Sequence, residues 1–194
     1  MNAPLQFPAD YREEVALVDG TRVSLRLIRP DDKGRLLEIL GALSAHSRTM
    51  RFFVARSHIS EHELRYLTEL DFVDHFAILA QRGDESVGVA RFVRQKSRAE
   101  VAEPALAVID SLHARGLGRI LFGRLVAAAR ERGIVELEAE VLRRNRAMLR
   151  LLVDFGATVP LLERWSESVT CRLDLAGARS PAAVAPPPAQ RRVA

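Results

Sequence analysis

One cysteine, Cys171, stands in 194 residues, which excludes an internal disulfide framework and any metal site built on several thiolates. Lysine is almost as scarce, with Lys33 and Lys96 alone, so the positive charge is carried by arginine. No apolar run approaches the roughly 20 residues that span a bilayer. Residues 1–10 lack the basic start and apolar stretch of an export signal. These absences set the expectation of a cytoplasmic chain without a membrane span.

The formal net charge is +4, and its distribution argues against nucleic acid as a partner. Beyond Asp174 there is no acidic residue, while Arg179, Arg191 and Arg192 lie there, so three of the four net charges belong to the tail. The body is close to neutral, and its arginines are spread along the chain as a compositional bias, not gathered into a patch. With 48% hydrophobic and 28% charged residues, the chain has the balance of one globular domain with a real core.

The most informative segment is His113-Ala114-Arg115-Gly116-Leu117-Gly118-Arg119. An apolar run of strand length, 105–109, leads into it. Leu117, Ile120, Leu121, Leu125 and Ala129 follow at helical spacing. A glycine turn between a strand and a helix start presents free backbone N–H groups to one point, which makes it a cradle for a phosphate or pyrophosphate. Glycine at 116 and 118 removes the Cβ atoms that would hold an anion away from the main chain. The bland alternative is a tight strand-to-helix turn. Two nucleotide motifs fail here. A dinucleotide fingerprint needs a small residue at 121, which is Leu, and a P-loop needs Gly-Lys-Ser/Thr where Gly118-Arg119-Ile120 stands.

Along the chain, 1–16 reads as an arm, 17–175 as the folded domain and 176–194 as a disordered Ala/Pro/Arg tail, in which Pro186-Pro187-Pro188 is prominent. Val23, Leu25 and Leu27 alternate as a first strand. Pro30-Asp31-Asp32 opens a helix with Leu36, Leu40 and Leu43 on one face. A short helix is expected over 47–53, and Ser60-Glu61-His62-Glu63 is a capping box for a third. Strands follow over 75–80, 86–93, 100–109, 136–142 and 168–175. The cradle's helix runs to Arg132, and a last helix over 145–154 stops at Gly156. No internal repeat is present.

Strand, turn and helix together resemble the acyl-CoA site of the GNAT N-acetyltransferases, whose signature Gln/Arg-x-x-Gly-x-Gly/Ala reads here His113-Ala114-Arg115-Gly116-Leu117-Gly118, with His at the first position. Leu43-Ser44-Ala45-His46-Ser47-Arg48-Thr49-Met50-Arg51-Phe52-Phe53 and Asp71-Phe72-Val73-Asp74-His75-Phe76-Ala77 are similar to the acetyltransferase domain of bacterial protein lysine acetyltransferases. The resemblance implies an α/β GNAT fold: a mixed, mostly antiparallel central sheet flanked by helices, with splayed central strands holding acetyl-CoA. It implies a stand-alone version of that domain, acetyl-CoA as cosubstrate without a metal, and a protein substrate with a target lysine, an acyl-CoA synthetase being one such partner.

By the same resemblance, His113, Arg115, Gly116, Leu117, Gly118 and Arg119 hold the CoA phosphates, Leu106 and Val108 line the pantetheine channel through their main chain, and Asn145 bonds the pantetheine arm. The family's base is a glutamate ten residues before the motif, which lands on Glu103. Glu100 is a second candidate. A buried strand would raise such a carboxylate's pKa toward neutrality, although Pro104 implies a bulge or an edge there. The tyrosine that many members place seven residues after the Asn falls at Leu152, so water protonates the thiolate or no acid is used. His75 reads as structural, His46, His58 and His62 lack ligand spacing, and Cys171 reads as an inert core thiol. The rival functions are acetylation of a small amine and an idle acyl-CoA-binding module.

Overall fold

The computed structural model describes residues 6–160 and 166–177. They form a seven-stranded sheet in the order β1-β2-β3-β4-β5-β6-β7: β1 Arg12–Ala16, β2 Arg22–Leu27, β3 His75–Arg82, β4 Glu85–Gln95, β5 Arg98–Val108, β6 Glu136–Leu142 and β7 Ser168–Asp174. Every neighbouring pair is antiparallel except β5 and β6. This is the mixed, mostly antiparallel α/β sheet expected from the sequence. Five α-helices flank it: α1 Lys33–Ala42, α2 Ala45–Phe52, α3 Glu61–Thr68, α4 Leu117–Glu131 and α5 Arg146–Asp154.

The lead-in read as an arm over 1–16 ends differently. Its last five residues are β1, paired with β2 from Arg12↔Arg26 to Ala16↔Arg22. A sheet-edge strand buries little, so Arg-Glu-Glu-Val-Ala carries only a weak alternation and reads as polar coil. Pro104 disrupts nothing either. The register runs straight through Phe92↔Pro104, and the irregularity lies at Arg94/Gln95 instead. The tail from 178 onward lies outside the described residues. Among those described, no helix is long and apolar enough to cross a membrane.

Two apolar layers sandwich the sheet. On one side α4 and α5 bring Leu117, Leu121, Phe122, Leu125, Leu152 and Phe155 against Phe76, Phe92 and Ala102, all 2% exposed or less. Burying each large side chain stabilises by about 1.5–3 kcal/mol. On the other side α1 and α3 lay Leu36, Leu40 and Leu64 over Ile28 and Ala77. The helix-start signals act as read: Ser60 accepts from Glu63 N–H while Glu63 accepts from Ser60 N–H, a complete capping box. Gly88 permits the central packing, because a Cβ there would sit 3.0 Å from Ala107 O and 3.3 Å from Leu121 Cδ1. A buried fork fixes the start of α1, with Arg26 donating to both Asp32 carboxylate oxygens at 2.6 and 2.7 Å.

Candidate active site

The sheet opens in its middle. Strands β5 and β6 pair only at Val101↔Glu136 and Ala102↔Leu137, after which no ladder joins them. Register settles which backbone groups face the gap. Ile109 N–H donates to Val87 O, so the odd-numbered residues of β5 bond to β4, and the even-numbered ones turn the other way. Leu106 and Val108 therefore present main-chain groups to the gap, as a strand-like ligand arm requires. Pro104 faces it too, which explains how a central strand tolerates a residue without an N–H: β6 has already departed.

The gap runs up to the glycine turn. After a 3₁₀ turn over Asp110–Leu112, the backbone enters the left-handed region twice, at Ala114 (φ 59°) and at Gly116 (φ 91°), which caps α4. The first bond of α4 is Ile120 N–H to Gly116 O, 3.1 Å. The N–H groups of Gly116, Leu117, Gly118 and Arg119 thus precede the helical ladder and carry the positive end of the helix dipole. A Cβ on Gly118 would meet Leu106 Cδ2 at 3.5 Å, so the cradle lies directly against the strand that borders the gap. A pyrophosphate in the cradle with an extended arm between β5 and β6 fits this arrangement.

The side chains at the cradle are placed less simply. His113 turns its ring back, Nε2 lying 2.8 Å from Val108 O, so it ties the turn to β5 and offers the cradle its backbone. Arg115 donates to Asp19 Oδ2, 2.7 Å, and its carbonyl accepts from Val18 N–H. The hairpin between β1 and β2 is thereby fastened to the turn. Arg119 donates to Asp154 Oδ2, 2.7 Å, over the Phe155 ring. Both arginines are exposed enough to exchange a carboxylate for a phosphate. Asn145 caps α5 by accepting from Met148 N–H, 3.1 Å, and donates to Met50 O in α2, 3.3 Å. Leu152 is core, 1% exposed.

Glu103 departs from expectation. It is exposed, not buried, because β5 loses its neighbour at that point. It shares a strand face with Ala105 and Ala107, the face covered by α2, whereas Glu100, three residues away, falls on the opposite one. Its charge reaches Arg51 of α2, where it opposes the burial that disfavours the guanidinium cation.

Beside it opens a cavity of about 270 Å³ between α1, α2, α3 and the sheet, lined by Ala107, Val89, Arg51, Arg91 and Tyr66 among others. Arg91 is only 5% exposed. Its Nη1 donates to Leu67 O and to His75 Nε2, each 3.1 Å. Sequence reasoning passed over Arg91, although a lone arginine inside the apolar run 87–93 was the signal. Tyr66, distant in sequence, is brought onto this cavity by α3. Asp110 holds α2 in place over it, accepting from Ser44 N–H, Ser44 Oγ and Ser47 Oγ at 2.7–2.9 Å. No group of three metal-ligating side chains converges among the described residues.

Comparison with known proteins agrees with this layout. Acetyltransferase Pat of Mycolicibacterium smegmatis is 35% identical over 136 residues, which is 69% of this chain and 40% of that protein. The chain therefore spans well under half the length of this curated relative. The GNAT domain of S. lividans PAT superposes with a TM-score of 0.79 and 31% identity, over 87% of this chain and 99% of that one. YncA of Salmonella typhimurium, solved with its cofactor acetyl-CoA, shares the fold at a TM-score of 0.64 and 20% identity, over 79% and 94% of the two chains. The family model for the acetyltransferase (GNAT) family matches residues 43–157, and the chain belongs to that family.

Proposed function

We propose that this acetyltransferase moves the acetyl group of acetyl-CoA directly onto an amine, and that the amine is a lysine side chain of a protein. The observation that carries this reading is the position of Glu103, exposed one residue past the last β5–β6 pair, at the closed end of the gap, and on the sheet face that carries Arg91 and Ala107 of the cavity wall. Acetyl-CoA would supply a thioester, with the cradle N–H groups of residues 116–119 holding its phosphates and the main chain of Leu106 and Val108 aligning its arm.

The chain's own chemistry concerns the proton. A lysine with pKa about 10.4 is less than about 0.1% neutral at pH 7, so a base decides the rate. Glu103 accepts that proton and can pass it to water, since it is exposed. The departing thiolate, with a pKa near 8.5, needs no dedicated acid. That matches a site in which Leu152 is core and Tyr66 lies on the acceptor side. The resemblance of residues 43–53 and 71–77 to bacterial protein lysine acetyltransferases supports a protein acceptor, and an acyl-CoA synthetase with an exposed lysine is the first to try.

Purified protein incubated with acetyl-CoA and either acyl-CoA synthetases or polyamines and other small amines tests the reading, with thiol release as the signal and mass spectrometry locating the acetyl group. Acetylated lysine on a protein is expected. Transfer to small amines alone replaces the acceptor class, and binding without any transfer leaves a sensor module.

A further inference from the structure

The cavity beside Glu103 holds more positive charge than its surroundings neutralise. Three guanidinium groups line it, from Arg51, Arg56 and Arg91. Arg56 is paired with Glu63. Arg91 spends Nη1 on Leu67 O and His75 Nε2, both neutral acceptors, and its Nε and Nη2 find no acceptor among the described residues. Arg51 lies over the ring of its neighbour Phe52, 4.8 Å from the centroid; the Glu103 charge reaches it, but no carboxylate comes within 4.0 Å of it among the described residues. Glu63 and Tyr66 also line the cavity, and the rest of the wall is apolar, with Leu36, Ile39, Leu40, Ile59 and Leu67 among its residues. A buried guanidinium without a carboxylate is costly unless a ligand completes it. Structural arginines in a sheet core carry their partner with them, as Arg26 carries Asp32 in this protein. Arg91 has none.

Register places these cations relative to the base. Arg91 stands opposite Ala105 across the β4–β5 ladder, and Glu103 stands opposite Val93. Arg91 and Glu103 are thus diagonal neighbours on one sheet face, roughly 7–8 Å apart at the backbone. One pole attracts an ammonium group and the other a carboxylate, with an apolar wall between helices to hold the connecting carbons. We infer that the acceptor of this enzyme carries a carboxylate close to the reacting amine, and that Arg51 and Arg91 read it: for a protein acceptor, a lysine flanked by Asp or Glu. This inference rests on the transferase reading above and adds its substrate class. A planar fork of N–H donors suits the task, because it grips both carboxylate oxygens at once. The same cations weaken the ammonium form of the incoming amine, which aids its deprotonation by Glu103.

The test compares end-blocked lysine peptides that differ only in Asp against Asn beside the lysine, with the wild type, Arg51→Gln and Arg91→Met. The wild type is expected to favour the Asp peptide by about 10- to 100-fold in kcat/KM, mainly through KM, and either substitution is expected to collapse that ratio. Free lysine against lysinamide, measured in parallel, tells a small amino-acid acceptor from a protein one. Calorimetric titration with the same peptides carrying norleucine in place of lysine reads the preference without turnover, so a failure of transfer and a failure of carboxylate recognition are distinguishable. Melting curves establish that each variant is folded. Equal use of Asp and Asn peptides by the wild type overturns the proposal, as does a preference that survives in both variants. A preference for succinyl-CoA over acetyl-CoA that vanishes in the variants also overturns it, by placing the carboxylate on the acyl donor.

Discussion

His75 Nε2 and Arg91 Nη1 lie 3.1 Å apart in a buried contact, and since a guanidinium only donates, the histidine accepts and is neutral. Burial first, and the neighbouring positive charge second, push the His75 imidazole down to about 4. An unfolded histidine takes up its proton near pH 6.5. Between those two values the unfolded chain binds more protons than the folded one, so stability rises with pH across this window and is lost on acidification. His75→Gln keeps an acceptor for Arg91 but cannot titrate. Urea unfolding at pH 7 and pH 5 is expected to show the wild type losing about 2 kcal/mol more than the variant. Parallel losses would mean that His75 is already charged in the fold.

Gly118 sits against Leu106 at the cradle. Gly118→Glu places a carboxylate among the N–H groups meant for a pyrophosphate, and is expected to abolish acetyl-CoA binding while the melting temperature stays within a few degrees. Titration calorimetry with acetyl-CoA decides it, and undiminished affinity would move the phosphate site elsewhere.

Glu103→Gln retains shape and removes the proposed proton acceptor. Turnover is expected to fall by about 10²- to 10⁴-fold with acetyl-CoA affinity nearly unchanged, and the acidic limb of the pH–rate profile should vanish. Glu100→Gln, on the other strand face, should be mild. The reverse pattern would transfer the base role to Glu100.

Asp110 fastens the start of α2 through both Ser44 and Ser47. Asp110→Ala frees these donors, with an expected stability loss of about 1–2 kcal/mol. Because α2 carries Arg51 while the cradle belongs to α4, the KM for the acceptor should rise several-fold and the acetyl-CoA dissociation constant should hold. Equal changes in both would show that the latch serves the cradle as well.

The glycine turn, the sheet's strands from β2 onward and the helix caps were legible because each depends on local chemistry: two glycines after an apolar run, a serine three residues before a glutamate, an asparagine ahead of α5. What escaped depends on partners far along the chain. Strand β1 is too polar to announce itself and exists through its ladder to β2. The exposure of Glu103 follows from where β6 departs, just after Ala102 pairs with Leu137, a residue well beyond it in sequence. The motif leaves His113 either a phosphate donor or a helix-entry residue facing water, whereas its ring bonds Val108 O beside its own turn. Arg91 looked like one more arginine in an arginine-rich chain until α2 and α3 closed over it.

The shortage of lysine acquires a meaning from the chemistry. Lys33 is held by Glu69 at 3.1 Å, and Lys96 is the one other lysine side chain in the sequence. Guanidinium groups stay protonated at any pH at which the enzyme works and are poor nucleophiles toward thioesters. Under the lysine-acetylating activity proposed above, positive charge carried on arginine is blind to the reaction, so prolonged exposure to acetyl-CoA would leave the surface potential almost unaltered.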